Sequence, residues 1–248
     1  MRRILFTWRG MTIWSYPALL YIGLIAGVVV GNIASHAVGV DAWRVFVAMH
    51  ILIALALAGA RSLHVVSRWP LYWRHRRMVW NRRDGGAAQY GGLIVAVPAS
   101  VPILAMLELP PGTFWDIATF TILVGMVVTR MGCLLNGCCA GRIGTKWYCV
   151  HLPNHLGKWE RRVPTQLLEA AWAAVLLVLA IALWPSMPFR GALFTFAAAG
   201  YAMGRLFLES LREQDRADSE LNVHHAISMG IVGVAALVFL ANWVDPSR

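Results

Sequence analysis

Seven long apolar runs decide what this chain can fold into. They lie at roughly 14–33, 45–66, 90–108, 116–136, 166–184, 191–211 and 223–243. A bilayer core about 30 Å thick needs about 20 mostly apolar residues per helix. No water is present there to satisfy backbone N–H and C=O groups, so only helices and closed barrels cross it. The runs are too long, and alternate too little, for barrel strands of about 10 residues. The composition agrees, at 58% hydrophobic and 14% charged, where soluble domains carry about one-quarter charged residues. The expectation is an all-α, polytopic integral membrane protein with about seven transmembrane helices, forming a single transmembrane domain over 1–248. The opening "MRRILFTWRG" is basic but leads into a full-length span without a small-residue cleavage site, so no removable signal peptide is expected.

The net charge of +10 is unevenly placed. The connection between the second and third spans holds Arg68, Arg74, Arg76, Arg77, Arg82 and Arg83. That between the fourth and fifth holds Arg142, Lys146, Lys158, Arg161 and Arg162, and that between the sixth and seventh holds Arg212 and Arg216. These loops share a face with the N-terminus and its Arg2, Arg3 and Arg9, whereas the opposite face carries Arg44, Arg190 and Arg248. Counting positive charge alone puts the N-terminus and these loops in the cytoplasm. The arginines also suit contact with anionic lipid. No nucleic-acid recognition motif accompanies them, and no nucleic-acid partner is expected.

"TRMGCLLNGCCAGR", Thr129 to Arg142, holds three of the four cysteines between two arginines. An ionisable residue inside a span is a functional candidate by default, and Arg130 sits within the fourth apolar run. A guanidinium fork suits a phosphate, while Arg142 equally suits snorkelling to the interface. Cys133, Cys138 and Cys139 leave three readings open. Their spacing departs from the paired short spacings of structural zinc sites, although Cys149 and His151 lie near in sequence. Adjacent Cys138 and Cys139 do not readily face one ion. A disulfide needs an oxidising compartment, and free cysteines serve as small packing residues.

In "DGGAAQYGGLI", Asp84 to Ile94, two glycine pairs bracket Gln89 and Tyr90 at the start of the third span. Such glycines let a helix bend toward a ligand or pack closely on a neighbour, and Tyr90 also suits an interfacial anchor. In "GYAMGRLFLESLREQD", Gly200 to Asp215, Arg205, Glu209 and Arg212 fall at i, i+4 and i+7 on one helix face, where Glu209 can pair with either arginine. Arg61 follows Gly59 in the second span, with His64 three residues on. "VPTQLLEA" places Gln166 and Glu169 at the start of the fifth span, and His224 and His225 open the seventh.

Taken in order, these motifs resemble the bacterial prolipoprotein diacylglyceryl transferases over nearly the whole chain. "GAR", Gly59 to Arg61, resembles that family's Gly-Gly-Arg stretch, and "DGGAAQYGGLI" its "DGG...HGGLIG". "TRMGCLLNGCCAGR" resembles its "GRxGNFINGExxGR", and "VPTQLLE" its "HPSQLYE". Tyr16 looks like its first-span tyrosine, and Arg205 with Glu209 like its arginine–glutamate pair. The resemblance implies transfer of the diacylglyceryl group of phosphatidylglycerol, through a thioether, to the lipobox cysteine of a prolipoprotein. Glycerol phosphate leaves, and no metal or other cofactor is needed. It implies catalytic roles for Arg130, Arg205, Tyr90 and Glu209. It implies lipid or substrate contacts for Tyr16, Arg61, Gly91, Gly92, Asn136, Gly141, Arg142, Gln166 and Tyr201. The implied partners are an anionic phospholipid, a lipobox-bearing acceptor and the bilayer. The implied location is the bacterial inner membrane, with the motif face outside the cytoplasm, against the arginine count.

Three positions depart from the family pattern. Its histidine before "GGLI" is Tyr90, its "GNFING" asparagine is Cys133, and its glutamate after "NG" is Cys138. A tyrosine, with a reference pKa of about 10, is a poor base at neutral pH. The alternatives are therefore a lipid transferase of this fold with another acceptor, a non-catalytic phospholipid-binding protein, and a membrane thiol or metal protein using the cysteine cluster.

Overall fold

The computed structural model describes residues 4–9, 11–67, 69–74, 89–154, 157–212 and 218–244. A short antiparallel hairpin, β1 (Ile4–Trp8) and β2 (Met11–Trp14), feeds directly into α1 (Ser15–Ala37). Then follow α2 (Ala42–Ser67), α3 (Trp69–Arg74), α4 (Gln89–Met106) and α5 (Pro111–Asn136). A second hairpin, β3 (Val150–Pro153) with β4 (Trp159–Arg162), precedes α6 (Thr165–Leu183), α7 (Ala192–Glu209) and α8 (Asp218–Val244). Each of the seven apolar runs is thus a helix, and the protein is an all-α polytopic membrane protein.

Five helical stretches, Ser15–Ala37, Ala42–Val66, Pro111–Asn136, Thr165–Ser186 and His225–Asn242, are long and apolar enough to cross a membrane. Helices α4 and α7 have 18 residues each, about 27 Å at 1.5 Å per residue, just under the thickness of a bilayer core. Among the described residues many large apolar side chains on the helices are exposed, Ile25, Val101, Val178, Phe207 and Leu237 among them, as lipid-facing side chains are.

The chain resolves into two compact units, Met1–Ala34 with Trp115–Arg248, and Ser35–Phe114. In the second unit α2 and α4 pack through small residues. A Cβ on Gly91 would stand 2.6 Å from the Gly59 carbonyl oxygen and 2.6 Å from Leu63 Cβ, so the two backbones touch where no side chain fits. Gly91→Ala is expected to destabilise the protein by about 1–3 kcal/mol through overpacking, read as a lowered thermal midpoint in detergent. At the start of α2 the Asp41 carboxylate accepts the Trp43 and Arg44 amides, and Arg44 pairs with Glu108 at 2.7 Å beyond the end of α4. The Arg61 guanidinium lies over the Tyr72 ring, 5.7 Å from its centroid.

In the first unit α1 lies against α5, α6 against α7, and α7 against α8. A Cβ on Gly27 would come within 2.4 Å of the Thr121 carbonyl oxygen, which fixes the closest approach of α1 to α5. The Trp172 indole N–H donates to the Gly200 carbonyl at 3.0 Å and ties α6 to α7. Asp116, buried on α5, accepts the Gly191 amide at 2.7 Å and the Phe194 amide at 3.1 Å. It therefore serves donors at the start of α7 that have no partner within that helix. Asp116→Ala is expected to lower stability by about 1–2 kcal/mol, the size of a lost helix cap; Asp116→Asn, which keeps one acceptor, should fall between.

Candidate active site

The C-terminal end of α5 and of α7 meet the N-terminal end of α6, and each contributes charge. Glu169 sits one turn into α6 with its side chain 2% exposed. Its Oε2 lies 2.7 Å from Arg130 Nε, at ion-pair distance but without hydrogen-bond alignment. Its Oε1 accepts from Arg205 Nη1 at 3.2 Å. Arg205 Nη2 reaches Glu209 Oε2 at 2.8 Å, and Arg212 Nη1 reaches the same oxygen at 3.4 Å. The result is a ladder of alternating charge, Arg130–Glu169–Arg205–Glu209–Arg212, largely out of solvent. Three arginines face two glutamates, so the ladder holds one net positive charge. Arg130 also donates from Nη2 to the Tyr201 hydroxyl at 3.3 Å.

The local sequence explains why these groups meet. Arg205 and Glu209 are four residues apart, one helical turn, on the same face of α7. Glu169 follows Thr165 and Gln166 on the inner face of α6; all three are buried. Gln166 Nε2 donates to the Cys138 carbonyl at 2.7 Å and Thr165 Oγ1 to the Cys139 carbonyl at 2.8 Å, so the start of α6 carries the loop that leaves α5. That loop turns through Gly137 (φ 74°) and Cys139 (φ 57°). At Gly141 a Cβ would stand 2.3 Å from the Val163 carbonyl oxygen. Gly141 also bridges to Arg212, with the Arg142 amide donating to the Leu211 carbonyl at 2.9 Å and Arg142 Nε to the Arg212 carbonyl at 3.3 Å.

Of the residues expected at the site, Tyr16, Arg130, Asn136, Gly141, Arg142, Gln166, Tyr201, Arg205 and Glu209 all belong to this unit. Tyr16 opens α1 beside Gly132, within electrostatic reach of Arg130 and the cysteines. Asn136 ends α5. Gln166 and Gly141 shape the loop backbone. Arg61, Gly91 and Gly92 belong to the other unit, where the two glycines line the approach of α4 to α2. Tyr90 lies in the first turn of α4, but its side chain is outside the described residues, as are residues 84–88 and the side chain of His224.

Two members of the ladder were not anticipated as site residues. In sequence Glu169 stands out only through its spacing from Gln166 at the start of the fifth span, although a carboxylate within an apolar span is itself a signal. Arg212 is by spacing the third member of a helix-face row, yet it lies just beyond the end of α7 and reaches Glu209 from there.

All four cysteines are free. Contrary to the expectation that neighbouring Cys138 and Cys139 face apart, the sulfurs of Cys133, Cys138 and Cys139 lie within 4.8 Å of one another. The left-handed backbone at Cys139 permits this. Hydrogen bonds from the Cys133 and Cys138 thiols, aided by the Arg212 and Arg130 guanidiniums, hold the Cys139 thiol well below its ordinary range despite burial. Burial works against the charge on Arg212, but Cys139 and Glu209 outweigh it and push its pKa up.

The sequence profile of the family "Prolipoprotein diacylglyceryl transferase" matches residues 3–242. A phosphatidylglycerol–prolipoprotein diacylglyceryl transferase of Bacillus mycoides (strain KBAB4) is 28% identical over 240 residues, covering 92% of this chain and 87% of its own length. One of Bacillus cereus (strain G9842) is 27% identical with the same coverage. One of Bacillus cytotoxicus is 28% identical over 200 residues, covering 76% of this chain and 72% of its own.

Proposed function

Because this chain belongs to the prolipoprotein diacylglyceryl transferase family, and is therefore a membrane-embedded transferase, we propose that its donor is phosphatidylglycerol and its acceptor the lipobox cysteine of a prolipoprotein. The observation that carries this reading is the ladder with its single net positive charge. A phosphodiester brought to the ends of membrane helices needs a fixed countercharge, and guanidiniums preorganised by buried carboxylates supply one.

In this reading Arg130 and Arg205 hold the phosphate oxygens. Glu169 and Glu209 aim the two guanidiniums, and Tyr201 supports Arg130. The acceptor sulfur attacks the glycerol carbon that bears the phosphate. A C–S bond forms, the C–O bond to phosphate breaks, and glycerol phosphate leaves with the electron pair. The added negative charge on that leaving group falls where the arginines stand. Tyr16, Asn136 and Arg142 flank the same region as lipid contacts.

We place the protein in a bacterial cell membrane with its motif face outside the cytoplasm, where a secreted prolipoprotein emerges. Several arginines behind the opposite charge count are already engaged at this face. Arg142 donates to the Arg212 carbonyl and Arg161 to the Cys149 carbonyl, while Arg162 is buried and paired with Glu160.

The test is to incubate purified protein with phosphatidylglycerol and a lipobox cysteine peptide and to weigh the peptide by mass spectrometry. A diacylglyceryl mass gain with release of glycerol phosphate is the expected result. Bound phosphatidylglycerol without a mass gain would replace this reading by lipid binding without catalysis.

A further inference from the structure

The proposed reaction alkylates a thiol, and a thiol is a poor nucleophile until it loses its proton. Around the ladder, acids and arginines are committed to one another. Three cysteines stand outside these ion pairs, and they converge. Cys133 comes from the last turn of α5, and Cys138 and Cys139 from the loop that α6 holds through Gln166 and Thr165. Their sulfurs lie within 4.8 Å of one another, with Cys133 buried and the other two half-buried. Four sulfurs bound to one zinc at about 2.3 Å in a tetrahedron stand about 3.8 Å apart. Closing the observed cluster around an ion therefore asks for about an ångström of contraction, within reach of side-chain rotation.

We infer that Cys133, Cys138 and Cys139 form a thiophilic metal site of the zinc type, and that its fourth position takes the acceptor's cysteine thiol. Three protein ligands with one open position is the pattern of catalytic rather than structural zinc, and a thiol that coordinates such an ion is deprotonated. The balance is complete. The acceptor thiol gives its proton to water as it binds the metal, and its sulfur then forms the C–S bond described above. The C–O bond of the phosphodiester breaks and glycerol phosphate carries away the electron pair. The ion's own two positive charges offset two of the three negative charges that a trithiolate adds. Cys133 follows Arg130, the group assigned to the phosphate, by three residues on α5, so the two lie about one helical turn apart. This inference rests on the transferase reading for the identity of the acceptor, though not for the presence of the metal.

The full-length protein, purified in detergent with any affinity tag removed, is first weighed for metal. About one zinc per chain is expected, the complement of one three-cysteine site; the Cys133→Ser, Cys138→Ser and Cys139→Ser variants should each lose at least about nine-tenths of it. Because such variants can misfold, the unmodified protein is also alkylated with and without added zinc. Zinc should protect these three cysteines, and labelling that ignores zinc overturns the site. Cobalt-loaded protein is then titrated with the lipobox cysteine peptide. A shift of the cobalt absorption bands, absent with a serine peptide, supports the fourth ligand; no shift removes it. Transfer at an undiminished rate in metal-stripped protein overturns the inference and leaves the transferase reading standing. A cobalt shift without transfer in any preparation keeps the thiol-binding metal site and sinks the transferase reading instead.

Discussion

Glu169→Ala is expected to destabilise the protein by about 3–5 kcal/mol, the scale for removing one partner from a buried ion pair. Glu169 is the hinge of the ladder. One carboxylate oxygen faces Arg130 at 2.7 Å and the other faces Arg205 at 3.2 Å, with the side chain 2% exposed. Without it, two guanidiniums from different helices confront each other in a place from which water is largely excluded, and Arg205 retains only Glu209. Glu169→Gln should lose less, because its carbonyl oxygen still accepts one hydrogen bond and the shape is kept. The check is thermal unfolding of detergent-purified protein, with helix content followed by circular dichroism. A loss below about 1 kcal/mol, the level of an exposed ion pair, would show that the ladder is not a structural unit.

Arg130→Ala and Arg205→Ala are expected to reduce transfer by at least about 100-fold to 1,000-fold in kcat, the scale for removing one group that stabilises developing charge. The fold should survive either change, because Glu169 then keeps the other arginine as its partner. Arg130→Lys separates two contributions. Lysine keeps the charge but lacks the planar fork that reaches Glu169 through Nε and the Tyr201 hydroxyl through Nη2. It should recover stability more fully than activity. Measured kcat and KM for lipobox peptide at saturating phosphatidylglycerol decide this. Full activity in both alanine variants would remove the clamp from the mechanism.

The helices were legible because bilayer thickness leaves few alternatives for an apolar run of about 20 residues. Arg205 and Glu209 were legible because four residues make one turn. What escaped depends on contacts between helices. Nothing near Glu169 in sequence names Arg130, which lies in a different helix, and periodicity within α6 shows only that Glu169 and Gln166 share a face. The convergence of the three sulfurs escaped for another reason. It depends on a left-handed residue at Cys139 (φ 57°), and a non-glycine residue rarely adopts that conformation. The two hairpins escaped because strands of four or five residues leave a weak pattern beside basic loops. Asp116 went unremarked, although it is a buried acid whose partners are amides at the start of a helix distant in sequence.

The ladder also sets an order for making the protein. The chain enters the membrane from its N-terminus, so α5 delivers a guanidinium before α6 delivers the carboxylate that balances it. An ionised side chain at the centre of a lone helix opposes insertion by about 2.5–3.5 kcal/mol. Arg130 stands six residues before the end of α5, so a nascent chain that ends after α5 carries part of that penalty, and one that ends after α6 has Arg130 and Glu169 to neutralise each other. Helices α5 and α6 are therefore a unit of insertion joined by the Arg130–Glu169 pair, and α7, bringing Arg205 and Glu209 as an already balanced pair, can join them later at little electrostatic expense.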